Sequence, residues 1–243
     1  MRYFYCEFDS KIFKRKWYRL DLSDEEILDS EKIKKAIFES DADYVDTKLR
    51  IEKALAFEAK LKELKFRKIC KQVTLCCDLD KQKLKAEKPS TYCNLAIDIN
   101  TINAIANSCC DVFTTSRFYL DEMLEKDLVF DFFCNWIKNS LSNDSMVKFI
   151  LNNSFCTLKR DNKNMTIDLI AVPKKEQKKG IGAKLLSDAI NYSKKAGCKY
   201  VWATTETENR SAVSLYLKHG FEYRYFTTCF HLKVEDLKKS LSN

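Results

Sequence analysis

Along the second half of the chain, apolar residues recur at two distinct spacings. Leu185, Leu186, Ala189 and Ile190 stand 3, 4, 7 and 8 positions beyond Gly182, which places them on one helical face. Gly197 ends that helix, and "NRSAVSLYLKH" predicts a second helix closed by Gly220. "MTIDLIAV", halted by Pro173, and "KYVWATTE" read as strands. "FEYRYFTTCFHLKV" alternates as a long final strand or a bent pair. "MVKFIL" and "SFCTLKR" flank Asn152 and Asn153, a hairpin signal. Leu128, Phe132, Trp136 and Ile137 keep helical spacing between about Glu122 and Asn143. The predicted order is helix, strand, strand, strand, helix, strand, helix, strand.

Residues 1–110 mix the two periods. "SDEE" at Ser23–Glu26 has capping-box spacing and predicts a helix to about Ser40. "DYVDTKLRI" reads as a strand, and Leu55, Ala56, Ala59 and Leu64 mark an amphipathic helix. "KFRKICKQVTLCCDL" suits a buried strand, "KQKLKAEKPS" a charged loop and "NTINAIANSC" a short helix. "DVFTTSRFYLDEML" has no clear period and is expected to connect two halves. The expected fold class is mixed α/β, helices on a central sheet, divided into domains 1–110 and 111–243.

The formal net charge of +8 suits an anionic partner. The lysines are interspersed with acids, so most read as solvated surface. Nucleic-acid binding would rest on net charge alone and is not expected. "MRYFYCEFDSK" meets an acid at Glu7 and lacks the apolar core of a secretion signal. No stretch approaches the ~18 apolar residues of a membrane span, so a cytoplasmic location is expected. The 11 cysteines include no C-x-x-C, and the histidines are His219 and His231. Zinc-ligand spacing is absent and no metal is expected. Cys70, Cys134, Cys156 and Cys198 sit in apolar company and read as small, reduced core residues.

The chain has four glycines, and two of them fall in "EQKKGIGAKLL", Glu176–Leu186. Glycine at a strand-to-helix junction lets backbone N–H groups approach a ligand. A helix N-terminus adds unpaired donors and the positive dipole end, so the junction suits an anion. Lys174, Lys175, Lys178 and Lys179 add positive charge. "GIGAKLL" supplies no Walker A loop, and Leu185 stands where a Rossmann fingerprint needs its third glycine. On these residues alone a plain tight turn is the alternative.

Gln177-Lys178-Lys179-Gly180-Ile181-Gly182-Ala183 resembles the Q/R-x-x-G-x-G/A loop of the GCN5-related N-acetyltransferases (GNAT), which holds the pyrophosphate of acetyl-CoA. "NRSAVSLYLKHGFEY" resembles that family's N-x-x-A-x-x-x-Y-x-x-x-G-F segment, with Asn209, Ala212, Tyr216, Gly220 and Phe221 at the matching positions. The resemblance implies a GNAT fold preceded by a smaller α/β domain, and acetyl-CoA-dependent acetylation of an amine. It implies that Gln177 to Ala183 and Asn209 hold the cofactor. It further implies that the strand edge at Ile170, Ala171 and Val172 pairs with the pantetheine arm and supplies the oxyanion donor. Tyr216 would be the general acid, because a phenol of pKa about 10 is protonated at neutral pH. Asp168, two residues before Ile170 on the same strand face, is the candidate base.

"FDSKIFKRKWYRLDL", "TSRFYLD" and "WIKNSL" resemble segments of the dTDP-fucosamine acetyltransferase-like subgroup. The first departs at Phe8, Ile12 and Lys14, where Trp, Phe and Gly are usual. This resemblance implies a dTDP-linked amino-deoxy sugar as acceptor, met by Asp9, Ser10, Arg117 and Phe118, with 1–110 on the acceptor side. The alternatives are another amine (a protein N-terminus, a polyamine, a small molecule) or a non-catalytic acyl-CoA-binding module. Oligomeric state is open, a homodimer being the commonest arrangement.

Overall fold

The computed structural model describes residues 1–22, 29–82, 92–93 and 97–241. In chain order the elements are β1 (Arg2–Tyr5), α1 (Glu7–Phe13), β2 (Trp17–Asp21), α2 (Ser30–Glu39), β3 (Tyr44–Arg50), α3 (Ile51–Glu63), β4 (Arg67–Asp78) and β5 (Tyr92–Cys93). There follow α4 (Ile99–Cys109), α5 (Arg117–Leu120), α6 (Lys126–Ser142), β6 (Val147–Leu151), β7 (Ser154–Asp161) and β8 (Asn164–Ala171). The chain ends with α7 (Ile181–Lys195), β9 (Tyr200–Glu206), α8 (Arg210–Lys218), β10 (Phe221–Lys233) and α9 (Val234–Leu241).

Two compact units share this chain, one of Met1–Gln72, Ser116–Val129 and Tyr225–Asn243, the other of Val73–Thr115 and Phe130–Arg224. They are interleaved in sequence, whereas the sequence reading divides the chain at 110/111. The reason is β10: seven of its residues, Thr227 to Lys233, pair antiparallel with β3, which returns the C-terminal segment to the N-terminal unit. That non-local pairing leaves no local signal.

In the first unit the strand order is β1-β2-β3-β10. Side chains alternate across these strands. Leu20, Val45, Leu49, Phe230 and Leu232 face an apolar core with Ile33 and Ile37 of α2, Ala54 and Leu61 of α3, and Leu237 of α9. α9 is absent from the sequence reading, although Val234, Leu237 and Leu241 have helical spacing. α2 starts at Ser30, where the Asp29 side chain accepts from the Lys32 N–H at 2.9 Å. Ser23–Glu26 and most of the "KQKLKAEKPS" loop lie outside the described residues.

The opposite face carries Trp17, Arg19, Tyr44, Asp46, Lys48, Cys229 and His231, on registers Trp17↔Tyr44, Arg19↔Asp46, Lys48↔Cys229 and Asp46↔His231. Asp46 accepts from Arg117 Nη1 (2.7 Å), Trp17 Nε1 (2.9 Å) and Arg19 Nε (2.8 Å). Asp121 accepts from Arg67 Nη1 (2.8 Å) and His231 Nδ1 (2.7 Å), and from the Tyr44 hydroxyl. Arg117 Nη1 also lies 3.2 Å from His231 Nε2. Arginine can only donate, so Nε2 must be the acceptor and Nδ1 carries the proton. His231 is therefore neutral: burial holds its pKa below the ordinary value, and the Asp121 hydrogen bond opposes this less strongly. Burial alone would raise the Asp46 carboxyl, but the Arg117 and Arg19 guanidiniums outweigh it and hold it well below the carboxylate range. Asp121 is also lowered, its hydrogen bonds from His231 and Arg67 outweighing burial.

The second unit has the order β4-β9-β8-β7-β6-β5. Asn152 and Asn153 both take left-handed φ (49° and 60°) at the β6–β7 turn, as the hairpin signal requires. Leu185, Leu186, Ala189 and Ile190 of α7 are buried as one stripe. Cys134, Cys156 and Cys198 are buried in this unit and Cys70 in the first, and all four are free thiols.

Removing one partner of a buried ionic cluster costs about 3–5 kcal/mol. Asp46→Ala should therefore lower the unfolding free energy measured in urea by that much at neutral pH. Acid should act in the same direction. A neutral buried histidine contributes stability above pH about 6.5, lost as pH falls below it, and the lowered carboxyls lose theirs below about 3.9. Denaturation midpoints should decline on acidification from pH about 6.5; a flat profile down to pH 4 would refute the neutral His231.

Candidate active site

β7 and β8 pair antiparallel, but Thr157 pairs with Leu169 while the next residue, Leu158, pairs with Ile167. Asp168 is thus one extra residue on β8 with no counterpart on β7, a β-bulge. A bulge bends its strand and increases local twist. On its other side β8 runs parallel to β9 through only three pairs, Asn164↔Tyr200, Met165↔Val201 and Thr166↔Trp202. Beyond Thr166 the two strands no longer pair. β8 continues to Ala171 and β9 to Glu206, so the edge of β8 from Ile167 onward has backbone groups free for another partner.

Asp168 is half-buried. Its Oδ2 accepts from the Ser140 hydroxyl and from Trp136 Nε1 at 3.3 Å. Ser140 Oγ also lies 2.9 Å from Thr157 Oγ1. Burial alternates along β8, with Met165, Ile167, Leu169 and Ala171 buried and Asp168 and Ile170 less so. Ser140, Trp136 and Thr157 escape the sequence reading, because a hydroxyl one helix away has no spacing signature. Only "WIKNSL" pointed near them.

After Pro173 the chain makes a short loop. Gln177 Nε2 donates to Val172 O (3.1 Å), tying the loop to the end of β8. Lys178 and Gly180 both have left-handed backbone, φ 63° and 80°. Gly180 is the N-cap of α7 and offers no side chain, whereas Asp29, Asp98, Ser116 and Asn209 cap α2, α4, α5 and α8 with theirs. Lys184 N–H closes the first turn on Gly180 O at 3.0 Å, so the N–H groups of Ile181, Gly182 and Ala183 precede the helical ladder. Lys174 pairs with Asp111 (2.8 Å) and Lys179 with Glu176 (3.2 Å). Lys175 and Lys178 pair with no carboxylate among the described residues. A Cβ built on Gly182 would lie 3.6 Å from both Leu215 Cδ2 and Val172 Cγ2, so α8, the loop and the end of β8 meet at this point.

Tyr216 follows Leu215 on α8 and is 3% exposed. Burial, and then Cys156 and Glu206, push its phenol well above the ordinary value, so it is protonated at neutral pH. Asn209 caps α8: its Oδ1 accepts from Ala212 N (3.2 Å) and Ser211 Oγ (3.0 Å), and its Nδ2 donates to Thr205 (3.2 Å). Every residue named from the sequence for the cofactor or the chemistry lies in the second unit.

Asp9, Ser10, Arg117 and Phe118 all lie in the first unit and are buried. Ser10 Oγ accepts from Trp17 N–H at 2.8 Å. The Arg117 guanidinium stands 4.2 Å from the Phe118 ring centroid and is ion-paired with Asp46. Among the described residues no cluster of His, Cys, Asp or Glu could hold a metal, and no helix is long and apolar enough to cross a membrane.

Residues 119–221 match the family model "Acetyltransferase (GNAT) family". Over 135 residues the chain is 27% identical to the spore coat polysaccharide biosynthesis protein SpsD of Bacillus subtilis (strain 168), a match covering 53% of this chain and 46% of that protein. The chain thus aligns with under half of that relative's length. A conserved protein of unknown function from Staphylococcus epidermidis ATCC 12228 superposes with TM-score 0.62 at 18% identity, covering 93% of this chain and 88% of that one. A GCN5-related N-acetyltransferase from Sphaerobacter thermophilus gives TM-score 0.54 at 15% identity, covering 79% and 60%.

The glycine pair makes a sharp expectation. Gly180→Ala places a Cβ on left-handed backbone and should cost about 1 kcal/mol of stability. Gly182→Ala places one in a helix with room for it and should gain up to ~0.5 kcal/mol, while weakening CoA binding in calorimetry. Equal stability changes at the two sites would contradict this account.

Proposed function

We propose, from the match of residues 119–221 to the GNAT acetyltransferase family, that the protein transfers an acetyl group from acetyl-CoA to the amino group of a dTDP-linked amino-deoxy sugar. The observation that carries the cofactor half is the interrupted ladder. β8 and β9 stop pairing at Thr166↔Trp202, beside an uncapped helix start opened by Gly180. These residues fit acetyl-CoA. The N–H groups of Ile181, Gly182 and Ala183, with Gln177, Lys178 and Lys179 around them, suit its phosphates. The edge of β8 that β9 leaves unpaired, running toward Ile170, Ala171 and Val172, suits an amide-bearing arm. When bound, acetyl-CoA supplies a thioester carbonyl open to attack by an amine.

The chain's own residues would then manage protons. Tyr216, held protonated by burial, is the proposed donor. Asp168 keeps one carboxylate oxygen on Ser140 and Trp136, leaving the other to take the amine's proton directly or through water. Asn209 is proposed to act through the start of α8, which it caps. The sugar half is supported by the SpsD relative, whose name places that protein in polysaccharide biosynthesis. The acceptor-side residues are proposed to be Asp9, Ser10, Arg117 and Phe118, with Arg117 acting from its pair with Asp46.

General acid catalysis contributes about 10²–10⁴-fold. Tyr216→Phe, which deletes only the hydroxyl, should lower kcat by that range and leave acetyl-CoA affinity within twofold. Near-normal turnover would make Tyr216 a packing residue. The acceptor is tested by following free thiol release with a panel of dTDP- and UDP-amino sugars, the free amino sugars, a polyamine and a peptide. kcat/KM should be highest for a dTDP-amino sugar by at least 100-fold, the usual gain from binding energy remote from the reacting amine. Equal use of a free sugar or polyamine would move the protein to another amine.

A further inference from the structure

The polar face of the first unit's sheet holds a cation with no partner. Lys48 makes no hydrogen bond and no ion pair among the described residues, although Arg117, Arg19 and Arg67 each have a carboxylate. Burial first, and then the Arg117 charge, lower its pKa. A desolvated charge without a partner is costly. Arg19 is half-committed: Nε and Nη2 reach Asp46 at 2.8 and 3.2 Å, and its side chain is 34% exposed. Nη1 has no hydrogen-bond partner of its own among those contacts. Arg50, next on the same face, is occupied by the Tyr225 ring, 3.1 Å from its centroid. Asp9 cannot be counted on as a counter-charge, because burial raises its carboxyl against the pull of Arg117. Cys229, opposite Lys48 in the β3–β10 register, is the one other anion-forming group on that stretch of strand. Its thiol is lowered to about 7, first by a hydrogen bond from Cys70 and against burial; no hydrogen bond joins it to Lys48.

We infer that Lys48 and Arg19 form an anion-binding site on this face, and that its ligand is the diphosphate of a nucleotide. The anion site stands on the geometry; the nucleotide rests on the reading of the acceptor given above. Arg19 pairs with Asp46 across one strand gap, and Lys48 lies two residues further along. The two side chains are therefore rooted roughly 8 Å apart, which suits charge spread over two phosphorus centres better than a single carboxylate. Arg117 is already committed, its Nη1 on Asp46, so Lys48 and Arg19 supply the free donors.

Calorimetric titration with inorganic pyrophosphate and with dTDP, each at saturating CoA to block the glycine loop, tests this. Wild-type protein should bind both, and Lys48→Met should weaken both at least tenfold while CoA affinity stays unchanged. Arg19→Gln should weaken them in the same direction. Lys48→Met should also melt no lower than wild type, because it removes an unpaired charge. Unchanged diphosphate binding in Lys48→Met, or no binding by wild type, overturns the site. So does a large drop in melting temperature, which would make Lys48 the structural partner of Cys229. If Lys48→Met loses pyrophosphate but the enzyme prefers a non-nucleotide amine, the anion site stands and the sugar assignment falls.

Discussion

A single extra residue governs the second unit. Asp168 has no partner on β7, and the strand that carries it leaves β9 two residues earlier, after Thr166. A parallel pair that ran on to Ala171 and Glu206 would satisfy its own backbone and leave nothing to offer. β8 does not do so: beyond Thr166 it has no β9 partner. The N–H and C=O groups of that edge must find partners elsewhere, and the bulged Asp168 accepts from Ser140 and Trp136. The loop after Pro173 is anchored to the same strand by Gln177, so the strand edge and the helix start are fixed to one another. Unpaired edge, carboxylate and loop thus meet along one strand.

The first unit meets a different constraint. Its sheet has an apolar face that packs conventionally and an opposite face built from charges. On such a face each paired member strengthens the network and each unpaired one is costly. Asp46 and Asp121 are each met by several donors, and His231 links them as donor to Asp121 and acceptor from Arg117. That link requires the neutral ring, so one tautomer closes the network. The cluster ties α5, through Arg117, to strands β2, β3 and β10, which a four-residue helix could not achieve through its own hydrogen bonds. Arg117, Arg19 and Arg67 each meet a carboxylate on this face, and among the described residues Lys48 does not.

The sequence made much of this legible. Period and glycine position identify β3, β4, α7, β9 and α8, and the left-handed Asn152 and Asn153 confirm the hairpin. The glycine loop and the N-x-x-A-x-x-x-Y-x-x-x-G-F segment point to the region where β8, α7 and α8 meet. What stayed hidden is non-local. The bulge depends on register between strands, and no single strand's composition encodes it. The Asp46 network joins residues from five separate stretches, and no spacing in any one of them links Arg117 to Asp46. The interleaved units follow from β10 pairing with a strand some 180 positions earlier in the chain, a distance at which hydrophobic periodicity says nothing. Asn209 was legible as a motif residue, but its capping role emerged only with the helix start.

The scarcity of glycine can now be given a physical reading. Among the described residues seven others, Lys14, Asp41, Lys65 and Lys178 among them, adopt left-handed backbone without being glycine, so this chain does not use glycine wherever φ is positive. Three of its four glycines, Gly180, Gly197 and Gly220, do have positive φ. Gly182 does not. It lies in the first turn of α7, and the space beside it would accept a Cβ at ordinary contact distance. Neither backbone strain nor packing within the chain requires a glycine there, and in a helix the residue costs stability relative to alanine. Of the four glycines, Gly182 is therefore the one that the fold itself does not require.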